Sequence, residues 1–80
     1  MSSFLVFDSK GGEFRGPKAS INNLQVVMVR ESEDSGLWIS LCNGENLYEA
    51  RLKSIIPHGD NCKGKMSFYV VLQVVSFSII

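Results

Sequence analysis

The sequence predicts an all-β domain, and three observations carry that reading. Val, Ile, Phe and Tyr crowd the apolar segments, Gly and Asn punctuate them, and no stretch sustains a helical apolar period. With 80 residues, 45% of them hydrophobic and 20% charged, the chain fits one globular domain over residues 1–80 and leaves no room for a second. The expected architecture is about five antiparallel strands in a small barrel or meander, with one short helical turn near residues 17–22, where Pro17 suits a first helical position.

The first strand is expected over residues 3–9, "SFLVFDS". The stretch "KGGEFRGPKASINN" follows, long for a connection in so small a domain. Its glycines and cation lack the spacing of a phosphate loop and lead into no clear helix, so it reads as a connecting loop. "NNLQVVMVRES" is apolar on both faces, and the acidic "ESEDSG" link is short enough for an antiparallel connection.

The strongest local signal is "GLWISLCNGENLYEARLKSII". Asn43-Gly44 suits a two-residue type I′ turn, because both central residues need positive φ. That turn sets Ile39 opposite Tyr48 and Leu37 opposite Ala50, with Leu41 beside Asn46. One face of the hairpin is then Leu37, Ile39, Leu41, Tyr48, Ala50 and Leu52, a core face. The other carries Trp38, Ser40, Cys42, Glu45, Leu47, Glu49 and Arg51.

A break is expected at "PHGDNCKGK", and a final strand from Met66 whose two faces are both apolar, as in a strand covered on both sides. Fully extended, residues 66–80 would reach about 50 Å at roughly 3.3 Å each, so a bend or bulge near Ser76 is expected. As a helix the same run would span only about 22 Å, short of a bilayer core of roughly 30 Å, so no membrane association is expected.

Eight basic and eight acidic residues cancel, which argues against a dedicated DNA-binding protein. The two cysteines, Cys42 and Cys62, are too few for a disulfide scaffold, and since no charged n-region precedes "FLVF" no secretory signal is expected. A reducing, cytoplasmic setting with free thiols is the expectation. His58, Asp60 and Cys62 include metal-ligand types, but a zinc site usually draws on two spaced pairs of ligands, so the stretch reads as a polar turn. No metal, no cofactor and no catalytic set is expected, since Cys62 and His58 have no third group to orient a base.

"LYEARLKSI" followed by "GKMSFYVV" resembles the strand pair of Tudor and chromo-barrel domains over roughly a third of the chain. The resemblance implies SH3-like barrel geometry. Those domains continue with a further aromatic and an acidic Trp-containing segment, whereas this chain runs into "VVSFSII", so the resemblance implies no aromatic cage.

The functional expectation is a small non-enzymatic protein-binding module. Chains of this size without a catalytic set are commonly accessory inhibitors or regulators, including those of phages and mobile elements. Trp38, Leu47, Glu49, Phe77 and Ile79 are the expected partner-binding residues, Trp38 as anchor. Surplus apolar surface also predicts self-association, with a homodimer as its simplest form. The alternative is a nucleic-acid-binding small barrel that uses Arg51, Lys53, Lys63 and Lys65 as cations and Tyr69 as a stacking platform.

Overall fold

The computed structural model describes residues 3–17, 20–21, 23–60 and 66–79. Seven strands make one antiparallel sheet: β1 (Ser3–Asp8), β2 (Glu13–Arg15), β3 (Ser20–Ile21), β4 (Gln25–Ser32), β5 (Gly36–Asn43), β6 (Asn46–Asp60) and β7 (Met66–Ile79). Their spatial order is β3-β2-β1-β7-β6-β5-β4, and there is no helix among the described residues. The all-β fold is as the sequence predicts.

The strand count differs because the 10–23 stretch supplies two short strands in place of a long loop. Glu13, Phe14 and Arg15 pair back onto β1, and Ser20 and Ile21 pair onto β2. Where a helical turn was expected, Ser20–Ile21 is therefore strand. The neighbours Lys18, Ala19 and Asn22 lie outside the described residues.

Turn chemistry sets the meander β4-β5-β6. Glu33–Ser35 form a three-residue loop closed by Gly36 at φ 82°, and Ser32 faces Gly36. A left-handed residue after a short turn lets the strands leave with their natural twist. Between β5 and β6 the turn residues are Gly44 and Glu45, with Asn43 opposite Asn46 and Gly44 at φ 60°. A glycine at the first central position is the type II′ arrangement, and it replaces the expected Asn43-Gly44 turn. Ile39 consequently meets Ala50, Leu41 meets Tyr48, and Trp38 meets Arg51. Moving the turn by one residue shifts each pairing by two, so both faces keep their expected members.

β7 lies between β1 and β6, in the middle of the sheet. Glu49 pairs with Ser76 and Ala50 with Val74, which leaves Val75 as a bulge beside the position where a bend was expected. β6 runs on past Ile56 to Asp60 instead of breaking at Pro57, and Pro57 pairs with Phe68. Residues 57–60 of the expected polar turn are thus strand, and residues 61–65 lie outside the described residues.

One face of the sheet holds the core. Leu5 of β1 pairs with Leu72 of β7, and Leu72 with Leu52 of β6, so three leucines stand in one row across three strands. In the next row Val74 pairs with Ala50, and Ala50 with Ile39. Leu41 and Ala50 are 0% exposed and Leu72 is 1% exposed. Phe7 and Phe14 close one end, their rings 4.8 Å apart and tilted.

Phe14 of β2 and Val26 of β4 come from near opposite ends of the sheet, yet they line the same groove. The sheet therefore curls around its apolar face. It remains open, because β3 and β4 do not pair with each other, and an open antiparallel sheet of this kind is in keeping with the expected small barrel or meander.

Candidate interaction surfaces

Three places on this scaffold bring side chains together. The first is the outer, convex face around Trp38. The register sets Phe4 against Gln73, Gln73 against Arg51, Arg51 against Trp38 and Trp38 against Arg30, a single row across β1, β7, β6, β5 and β4. The Arg30 and Arg51 guanidinium carbons lie 5.1 Å and 5.8 Å from the centroid of the indole, one on each flanking strand. Such cations are held by the negative face of the ring. The indole N–H donates to Ser35 Oγ at 2.7 Å. Trp38 is half-buried.

The remaining partner-binding expectations divide between the faces. Glu49 is half-buried beside Trp38 on the convex side, where its Oε1 accepts from Ser40 Oγ at 2.8 Å, and Leu47 sits opposite Cys42. Phe77 lies on the other face, paired with Tyr48, the two rings 5.1 Å apart, and it is 53% exposed. The Ile79 backbone pairs with Asn46. The five residues do not form one patch.

The cations of the alternative reading also separate. Arg51 stacks on Trp38, Lys53 is exposed where the β6-β7 register shifts, and Tyr69 is covered by His58. Lys63 and Lys65 lie outside the described residues.

The second place is a cluster that joins three strands. His58 belongs to β6, not to a loop, and its ring stacks on Tyr69 of β7 at 3.8 Å with the planes 8° apart. His58 Nε2 lies 3.2 Å from Asp8 Oδ1 on β1, and both side chains are 19% exposed. With its proton on Nε2 the imidazole donates to the carboxylate. Asp8 Oδ1 also accepts the Lys10 backbone N–H at 2.9 Å and so shapes the β1-β2 turn. Burial pulls the Asp8 carboxyl upward, but the Lys10 N–H, the His58 ring and the Gly11 N–H together hold it below its usual value, and the His58 charge adds in the same direction.

Sequence reasoning passed over Asp8. The signal was an acidic residue ending a strand just before "SKGG", the position where a carboxylate accepts backbone N–H groups. The Asp60 side chain and all of Cys62 lie outside the described residues. Among the described residues no group of three or more His, Cys, Asp or Glu is placed to hold a metal ion, and no helix is long and apolar enough to cross a membrane. Cys42 is a free thiol.

The third place is the β4 edge with the groove beside it. Val26, Val27, Met28 and Val29 are between 53% and 58% exposed, and β4 has a partner, β5, on one side alone. Val27 is the bulge residue of the β4-β5 pairing. The groove, about 240 Å³, is lined by Phe7, Phe14, Leu24, Val26, Ile39, Val70 and Leu72, and is almost wholly apolar. Val26 belongs to both features, so the edge and the groove form one continuous surface.

No family model, no curated protein and no solved structure matches this chain.

Proposed function

We propose that this chain is a small non-enzymatic protein-binding module, an accessory regulator or inhibitor, that takes up an extended polypeptide by strand addition at β4. One observation carries the reading: four consecutive apolar residues of an eight-residue edge strand are more than half exposed. Unpaired edges present rows of free N–H and C=O groups, which proteins blunt with charged residues, proline or bulges. β4 reads "QVVMVRES": it has no lysine or proline, and the Val27 bulge and the charged Arg30 and Glu31 still leave residues 26–29 more than half exposed. Main-chain pairing supplies affinity in such a mode, and pockets for alternate side chains supply selectivity. The groove bordered by Val26 is a pocket of that kind.

The binding surface therefore moves from the convex Trp38 face, where the sequence reading put it, to the β4 edge. The indole serves as a platform for Arg30 and Arg51.

The test is capture of partners from native lysate with the tagged chain, run with and without nuclease, against the variant Val27→Lys. A nuclease-resistant protein partner that Val27→Lys loses, at an unchanged thermal midpoint, is the expected result. Capture that survives Val27→Lys refutes the edge as the site. Recovery of nucleic acid that falls off steeply with salt would transfer the function to the basic side chains.

A further inference from the structure

We infer that the polypeptide β4 takes up is a second copy of this chain, paired antiparallel to the first about a two-fold axis through Val29, so that one sheet runs through both molecules. This rests on the strand-addition reading and names its occupant.

Three observations select a second copy. The chain carries no net charge, so two copies approach without self-repulsion. The two edges of the sheet are unequal, eight residues in β4 against two in β3. Head-to-tail growth would join two unlike edges and leave one open at each end, whereas β4 on β4 closes at two copies.

The side chains of β4 then choose the register. A two-fold axis perpendicular to the sheet keeps each residue on its own face, so each residue meets one of the same face in the other copy. Centring on Arg30 would set Arg30 against Arg30 of the other copy, and centring on Glu31 would set Glu31 against Glu31; like charges directly opposite are unfavourable. Centring on Met28 would set Val26 against Arg30, and the Val27 bulge has put those two on different faces. Centring on Val29 avoids both like-charge pairs and sets Met28, Val29 and Arg30 each against a residue of its own face; the mismatch at the Val27 bulge lies further out, at Val26 against Ser32. This register brings the two Val29 side chains together and lays each Arg30 stem along Met28 of the other copy, its charge free to reach water.

Sedimentation equilibrium of the full chain over a wide concentration range reads the outcome. The expected result is the mass of two 8.9 kDa chains, reduced to one by Val29→Lys, whose thermal midpoint should match that of the unsubstituted chain diluted until monomeric. A second variant guards against a folding defect. In a Cys42→Ser, Cys62→Ser background, Val29→Cys should cross-link to itself with oxidised glutathione, since residues facing each other across an antiparallel pair fall within disulfide reach. Phe77→Cys in the same background should not.

A monomer at every concentration overturns the inference, and so does a dimer that neither Val29→Lys disrupts nor Val29→Cys traps. If the chain is a monomer while Val27→Lys still abolishes lysate capture, the second copy fails and strand addition stands. If a dimer forms elsewhere and Val27→Lys leaves capture intact, both fail.

Discussion

β7 and β4 have nearly the same character in the sequence, aliphatic on both faces, and they meet opposite fates. β7 has β1 and β6 as neighbours, and its Leu72 and Val74 are buried. β4 has β5 alone, and its four central residues stay more than half exposed. Apolar patterning reports that a strand wants cover. Which strand receives it depends on the order of pairing, and here the N-terminal strand β1 chooses β7.

The contrast makes its strongest statement at Leu72. Leu72→Ala should lower stability by about 2–5 kcal/mol, because Leu5 and Leu52 flank the site and cannot collapse fully into the space; urea unfolding measures it. The opposite result, a loss below about 0.5 kcal/mol, would mean that β7 is no more covered than β4. Trp38→Ala should cost about 1–2 kcal/mol, from a half-buried ring and its two flanking guanidinium groups. Gly44→Ala should cost about 1 kcal/mol because its φ of 60° is strained for a side chain, although the space around it is open. On β4, Met28→Ser should change the midpoint of the isolated monomer by no more than about 0.5 kcal/mol.

The last effect is confined to acid. A carboxyl whose folded value lies below its unfolded value stabilises the fold above the unfolded value of about 3.9, and that contribution disappears as pH falls through the lower folded one. Asp8→Asn should therefore flatten the dependence of the thermal midpoint on pH below about 4 and leave the rest of the profile in place. An unchanged acid limb in Asp8→Asn would assign that loss to other carboxylates.

Several of these features were legible beforehand. The faces of the β5-β6 hairpin follow from alternation alone, and alternation survives an error in the turn because Gly44 serves the first central position as readily as the second. The bulge beside Ser76 follows from length, since so long a strand does not run straight, although β6 pairs with it from Met66 to Ile79. Other features depend on partners that the local sequence does not name. Pro57 reads as a breaker, yet it continues β6 opposite Phe68. His58 reads as a turn residue because its partners, Asp8 and Tyr69, are distant in the chain. Phe14 sits among glycines, and only its packing on Phe7 makes β2 a strand. The edge position of β4 was hidden for the same reason, since an edge is defined by a neighbour that does not come.

The pairing order also governs how the molecule can be assembled in time. β1-β2-β3 and β4-β5-β6 are each built from contacts between successive strands, and they share no pair until β7 joins β1 on one side and β6 on the other. Ser3 must find Val74 across nearly the whole chain, and such distant closure is slow to nucleate. During synthesis neither half can be joined to the other before the last strand is made, so Leu5 and Ala50 have no Leu72 or Val74 to pair with until the chain is nearly complete.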